Sequence, residues 1–134
     1  MEDFYIQMVM NMKGGWKNNQ TEGKGVLLMK NGDKYEGDWK EDHFHGNGKY
    51  VWRNGGEYEG HWINGKMDGH GTLKYAVGSV YIGEWKNDMR EGKGVLLKKD
   101  GNEYEGDWKE DCFHGYGKYT YTNGTEYVGN WING

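Results

Sequence analysis

Proline is absent from these 134 residues, cysteine occurs once, and no apolar run approaches the ~18 residues of a membrane-crossing helix. A lone Cys112 excludes an internal disulfide and fits a reducing compartment. Neither sign of charge gathers into a long run: 17 basic and 21 acidic residues alternate, with a net charge of −4. That pattern leaves no electrostatic footprint for nucleic acid and argues against binding to anionic phospholipid. The acidic start Met1-Glu2-Asp3 is followed by nothing like a secretory leader, so a cytoplasmic location is expected. What the chain has in quantity is glycine, 25 residues, and aromatics, 16 % of the total. Glycine at fixed positions without proline points to turns and close packing rather than disorder. The aromatics stand in for an aliphatic core.

Both are periodic. Tyr35-Glu36-Gly37-Asp38-Trp39 returns as Tyr58 to Trp62, Tyr81 to Trp85, Tyr104 to Trp108 and Tyr127 to Trp131, and the step from Tyr35 to Tyr58 never changes. A worn copy, Met12 to Trp16, precedes them at the same step. A fixed period of this length marks an array of structural repeats. Side chains alternate faces along a strand, so Tyr35, Gly37 and Trp39 share one face and Glu36, Asp38 and Lys40 the wet one. The gap at Gly37 leaves room for a neighbour's ring. A polar run, Lys40 to His45, follows, then Gly46-Asn47-Gly48 and a second strand around Lys49 to Trp52. Asn31-Gly32, Asn54-Gly55, Asp100-Gly101 and Asn123-Gly124 then read as tight two-residue turns. Each repeat is therefore two antiparallel strands. One repeat cannot bury enough surface alone, so stability must come from stacking on both neighbours.

These residues carry a resemblance to the MORN repeat (membrane occupation and recognition nexus) over residues 12 to 134. Departures are local: Met12 replaces the first Tyr, Val77 replaces Asn before Gly78, and Lys98 replaces an aromatic. The fold expected is all-β: an elongated, open, single-layer antiparallel β-meander of about twelve strands. Residues 1–22 read as a degenerate half-repeat and cap, with Phe4 to Met8 covering the first sheet edge and residues 9 to 20 less ordered. Residues 23–134 form the array, about five repeats with the last incomplete. The resemblance implies a non-catalytic scaffold for protein partners, at cytoskeletal or membrane-contact structures, that often self-associates. A peripheral phospholipid-binding module is the alternative. So is the repeat part of a phosphatidylinositol-phosphate kinase or a SET-domain methyltransferase, whose catalytic domains are not in this sequence.

A longer period lies above the first. Tyr35 to Tyr50 and Tyr104 to Tyr119, three repeats apart, differ only at His43/Cys112 and Asn47/Tyr116. Duplication of a three-repeat unit is the plain cause; two equivalent contact points are the functional one.

Gly-x-Gly lacks the third glycine and the helix of a dinucleotide loop. His43 and His45 could ligate a metal with His61, His70 or His114, but no third ligand is fixed by spacing. Cys112 and His114 lie too close on a turn for a supported nucleophile and base. Glu36, Asp38, Glu105 and Asp107 read as a solvated, cross-strand-paired face rather than as acid and base. No catalytic residue, metal or cofactor is therefore expected. The candidates are binding residues. Tyr35, Trp39, Tyr50, Trp52, Tyr58, Trp62, Tyr81, Trp85, Tyr104 and Trp108 are expected to line a groove for a peptide or helix, since Tyr and Trp combine area with a polar handle. Phe44-His45 and Phe113-His114 are expected as exposed contacts on polar turns. Tyr127, Val128 and Trp131, on the strand Glu126 to Trp131, are expected to pair with a second copy in a homodimer.

Overall fold

The computed structural model describes the backbone of residues 5–17 and 20–132, and side chains from residue 23 to 132. Among these residues the chain is one sheet of eleven antiparallel strands in sequence order, without helix or crossover. The strands are β1 (Tyr5–Lys17), β2 (Gln20–Met29), β3 (Lys34–Lys40), β4 (His43–Val51), β5 (Glu57–Ile63), β6 (Lys66–Lys74), β7 (Val80–Lys86), β8 (Met89–Leu97), β9 (Glu103–Lys109), β10 (Cys112–Thr120) and β11 (Glu126–Trp131). The open single-layer meander is thus the fold. Residues 9 to 17, expected to be less ordered, belong to β1, which pairs with β2 from Tyr5↔Met29 to Lys17↔Gln20. Phe4 lies outside the described residues.

The tight turns sit at the other end of the hairpin from where the Asn-Gly pairs suggest. Two-residue turns with positive φ at both positions are Glu41-Asp42 (49° and 65°), Asn64-Gly65, Asn87-Asp88 and Glu110-Asp111. Asn31 has no positive φ; its Oδ1 accepts the Asp33 N–H at 2.9 Å. Gly32 N–H donates to the Met29 carbonyl, and Gly32 alone takes φ 100°. This is a three-residue loop with glycine at the left-handed position, which explains the glycine without needing Asn there.

Glycines pair with glycines straight across the sheet: Gly25↔Gly37, Gly37↔Gly48, Gly48↔Gly60 and onward to Gly117↔Gly129. Beside this row β3–β4, β5–β6, β7–β8 and β9–β10 each carry a bulge. Between Gly37↔Gly48 and Trp39↔Phe44, one residue of β3 faces three of β4. Such insertions bend the bulged strand sharply. The two glycines of Gly46-Asn47-Gly48 have separate jobs. Gly46 takes φ 66° within the bulge. Gly48 gives space: an added Cβ there would lie 2.1 Å from Tyr35 Oη. The ring over the glycine row is therefore the repeat's own tyrosine, not a neighbour's as the sequence suggested. Tyr35 Oη donates to the Asp38 carbonyl at 2.8 Å, folding the phenol back along its own strand.

Neighbouring repeats join through tryptophan. Tyr35 meets its own Trp39 edge-on at 5.3 Å and the next repeat's Trp62 at 5.6 Å. Tyr58 does the same with Trp62 and Trp85, Tyr81 with Trp85 and Trp108, and Tyr104 with Trp108 and Trp131. Trp62 Nε1 donates to the Gly48 carbonyl at 3.0 Å. Edge-to-face contacts of this kind add ~1 kcal/mol apiece beyond the area they bury. This continuous ladder of rings, with Leu27, Met29, Leu73 and Leu96, is the core of the described residues.

Candidate functional site: an aromatic cleft with an acidic rim

Of the ten aromatics expected to line a groove, eight belong to this core. Tyr35, Tyr58, Tyr81 and Tyr104 are wholly buried, and Trp39, Trp62, Trp85 and Trp108 are 3–4 % exposed. Burial pushes the four phenols above the ordinary tyrosine range, Tyr104 to about 12. Tyr50 and Trp52, by contrast, are partly open and lean together at 4.9 Å.

Phe44 is not an exposed contact. The Glu41-Asp42 turn ends a residue before His43, so Phe44 already lies in β4 opposite Trp39. Its ring stacks on Tyr35 at 3.9 Å and is 8 % exposed. Phe113 stacks likewise on Tyr104 at 4.0 Å, half-buried. His45 and His114 are half-buried beside the bulge. The expected exposure failed because the polar run looked like one long turn, whereas only two of its residues turn. At the other extreme of the sheet Tyr127 and Val128 are about half exposed, with Trp131 partly covered, on β11, which pairs with β10.

Tyr50 and Trp52 open onto a cleft of about 430 Å³. Its apolar wall is Phe44, Tyr50, Trp52, Trp62, Met29 and Met67, and its rim carries Asp42, Asp88, His43 and Asn31. Each of four successive hairpins, from β1–β2 to β7–β8, supplies part of it. Met67 is delivered by the second-strand position that holds Phe44 one repeat earlier and Arg90 one repeat later. The Asn87-Asp88 turn reaches back to it: Met67 N–H donates to Asp88 Oδ1 at 2.7 Å, and Asp88 N–H to the Met67 carbonyl at 3.0 Å. Behind Tyr50 lies Asp33, 9 % exposed, which accepts from the Tyr50 hydroxyl at 2.6 Å and from the Arg53 N–H at 2.8 Å. The cleft offers apolar area, ring faces and carboxylates, and no arrangement of nucleophile and base. Met29, Asp33, Asp42, Met67 and Asp88 escaped the sequence reading. For two of them a signal was available. Met29 and Asp33 fall just outside the stretch that recurs three repeats later, where Lys98 and Asn102 take their places.

The opposite, polar face is laced by cross-strand pairs. Lys24 bonds Asp38 and Lys93 bonds Asp107 at equivalent places. Asp38 Oδ2 accepts the Asn47 N–H at 3.0 Å, and Asp107 Oδ2 the Tyr116 N–H at 3.0 Å, so these carboxylates hold the bulges.

A single-layer antiparallel sheet whose hairpins recur at one fixed step, locked by a Tyr–Trp ladder over a glycine row, defines an open β-repeat protein. The chain belongs to the MORN repeat family: residues 13–34, 35–57, 58–80, 81–103 and 104–126 each match the MORN repeat. No curated protein matches. Among solved structures, the chain resembles the TCP domain of Drosophila melanogaster SAS-4 (dCPAP), solved in complex with a proline-rich motif of Ana2 (dSTIL). The TM-score is 0.50 at 14 % identity, over 81 % of this chain and 63 % of that one. The likeness is one of fold, and the chain spans less than two thirds of that domain.

Proposed function

We propose that this MORN array is a non-catalytic scaffold that binds a protein partner through an extended segment laid in the cleft of Tyr50, Trp52 and Met67. The carrying observation is that cleft: the core ladder closes over eight aromatics, yet Tyr50 and Trp52 stay open on an apolar floor of about 430 Å³. A ligand site of that size, mostly apolar with a few convergent polar groups, suits the anchor side chains of a peptide. The similar fold of the SAS-4 domain was solved with a proline-rich peptide, and proline-rich segments favour aromatic-lined grooves.

The test starts from proximity labelling with the full chain. A partner identified by mass spectrometry is then purified and its affinity measured against wild type and Trp52→Ala. Trp52 is partly open and outside the Tyr–Trp ladder, so the variant should keep its melting temperature within a few degrees. The expected result is a loss of roughly tenfold or more. Unchanged affinity with every purified partner would refute the site. Saturable binding of Trp52→Ala and wild type alike to phosphoinositide vesicles, with no protein partner, would instead favour the lipid module.

A further inference from the structure

The wet face of the sheet changes character on β7 and β8. There Val80 lies opposite Leu97, and Ile82 opposite Val95. All four are aliphatic. In β5–β6 the same four positions hold Glu57, Lys74, Glu59 and Thr72, and β3–β4 and β9–β10 are charged at three of the four in the same way. Ile82 and Leu97 are each 39 % exposed, with Val80 and Val95 half-buried beside them. An aliphatic patch left in water in the middle of a charged face marks a contact surface. A groove of about 490 Å³ runs beside it over the glycines of β7 to β10, with Ile82 and Val95 on one bank and Glu84, Lys93 and Tyr116 on the other.

The charges around the patch lie in rows that cross the sheet. From Ile82 one row continues through Thr72, Glu59 and Lys49. From Val95 it continues through Glu105, Lys118 and Val128. A two-fold axis along the boundary of β7 and β8 would lay the two halves on each other: Ile82 on Val95, Thr72 on Glu105, Glu59 on Lys118 and Lys49 on Val128. In the next row Val80 would meet Leu97, Lys74 would meet Glu103, and Glu57 would meet Thr120. Across the glycines Glu84 would meet Lys93, and His70 would meet Asp107. Within one chain His70 Nδ1 pairs with Glu84 at 3.1 Å, and Lys93 pairs with Asp107. Two ion pairs of opposite sense would thus come face to face. The like-charge opposition of Lys66 and Lys109 falls beside the turns, past the bulges that bend the strands.

The axis is fixed by what its neighbours would cost. Moved onto β7, it would oppose Glu59 with Glu105 and Lys49 with Lys118. Moved onto β8, it would oppose Glu84 with Asp107 and Glu57 with Glu126. Moved to the boundary of β6 and β7, it would lay Glu57 on Leu97 and Glu59 on Val95.

We propose that this face joins two copies of the chain, stacked wet face to wet face with their arrays running in opposite directions about an axis along β7–β8. A two-fold contact uses one patch twice and so requires a surface complementary to itself. The aliphatic centre supplies burial, and the charge rows set register and exclude shifted pairings. Face-to-face stacking of two sheets is an ordinary packing mode. The inference goes beyond the peptide cleft and does not rest on it, because the cleft opens on the aromatic face. Both clefts stay open in the pair, so a partner with two anchor segments would be held at two points.

Sedimentation equilibrium of the full chain should show a monomer–dimer equilibrium. Ile82→Glu introduces the residue type that Glu36, Glu59 and Glu105 already provide at this position of other repeats, so the strand accepts it. It should weaken the dimer by roughly tenfold or more. Glu84→Lys and Lys93→Glu alter side chains that are 50 % and 80 % exposed. Each variant opposes like charges in its own pair and should self-associate several-fold more weakly than wild type. An equimolar mixture of the two restores opposite charges across the contact and should associate more tightly than either alone. A wild-type chain still monomeric at about 1 mM overturns the pair. So does an Ile82→Glu dimer as strong as that of wild type, or a mixture no tighter than the single variants. A dimer that survives Ile82→Glu but not Val128→Pro belongs to the β11 edge and also overturns it. The cleft is tested separately, by Trp52→Ala.

Discussion

Tyr35 stacks on Phe44 at 3.9 Å and 7°, and Tyr104 on Phe113 at 4.0 Å and 8°. The tilted contacts of Phe44 with Tyr50 and of Phe113 with Tyr119, 5.9 Å and 6.1 Å, agree as closely. Identical residues, three repeats apart, give the same ring cluster twice. The surroundings of the clusters differ. Around Tyr50 lie Met29, Asp33 and Met67; around Tyr119 lie Lys98 and Asn102. The ladder is therefore the shared frame, and the second-strand ends are where one frame is given different surfaces. The residues that lock the frame and those that differ between the copies are largely different residues of the same repeat.

The largest effect should come from the frame. A Cβ on Gly60 would lie 2.5 Å from Gly71 Cα and 2.7 Å from Tyr58 Oη, with backbone on one side and a buried ring on the other. A Cβ on Gly129 meets nothing closer than Tyr127 Oη at 3.1 Å, where the ring is half exposed. Gly60→Ala should cost about 3 kcal/mol in denaturant unfolding, and Gly129→Ala less than about 1 kcal/mol. Equal costs would mean that the glycine row does not set the spacing of the sheet.

Next comes the ring cluster itself. Phe44→Ala should destabilise by about 3 kcal/mol and Phe113→Ala by about 2 kcal/mol, the difference following the fuller burial of Phe44. Phe113→Ala should act through stability, since its ring packs on Tyr104 away from the cleft, whereas Phe44→Ala also removes part of the cleft wall. A Phe113→Ala chain that kept wild-type stability but lost a partner would break the division between frame and surface.

The tyrosines sharpen the same point through pH. Burial, above all, holds the Tyr35, Tyr58, Tyr81 and Tyr104 phenols protonated beyond their ordinary range. A group whose folded pKa is raised stabilises below its unfolded value and loses that contribution as pH climbs through the folded one. The melting temperature should thus hold up to about pH 10 and fall above it. Tyr35→Phe removes the bond to the Asp38 carbonyl, about 1 kcal/mol at neutral pH, and should flatten that alkaline fall. An array whose buried phenols ionise in the folded state at about pH 10, read by ultraviolet difference absorbance, would contradict the closed ladder.

The frame was legible because its cause is local. Tyr-x-Gly-x-Trp at a fixed step, alternating faces and Gly-x-Gly between them lead to paired strands, and the sheet has that order throughout. The bulge was not legible. Three residues of β4 opposite Asp38 require a count across two strands, and alternation along one strand cannot reveal it. From that omission came two misreadings: Phe44 placed on the surface, and the ring over Gly37 and Gly48 assigned to a neighbour. The turns were misplaced because Asn-Gly suits two hairpin types. Glu41-Asp42 adopts the two-residue form although neither residue is the usual choice there. The cleft was hidden for a different reason. It draws on four hairpins, and side chains such as Met67 and Asp88 meet only when those hairpins stack.

The smallest effect should come from the polar face, where the two copies again agree. Burial works against the charge of Asp38, but the Lys24 ammonium and the Asn47 N–H outweigh it and hold the carboxyl below its ordinary range. Asp107 is held low by Lys93 and then by the Tyr116 N–H. A depressed carboxylate contributes stability above its unfolded pKa of about 3.9, and loses it as pH falls through the folded value. The side chains are 29 % and 31 % exposed, so solvent and salt screen both pairs. Asp38→Asn and Asp107→Asn should each cost less than about 1 kcal/mol at pH 7. The loss should shrink in high salt, and each variant should converge on wild type in thermal melts below about pH 3. Asparagine keeps an oxygen for the bulge N–H, so what disappears is the charge alone. A gap between variant and wild type that persisted at low pH would assign these aspartates to bulge geometry instead, and the two copies would still be expected to behave alike.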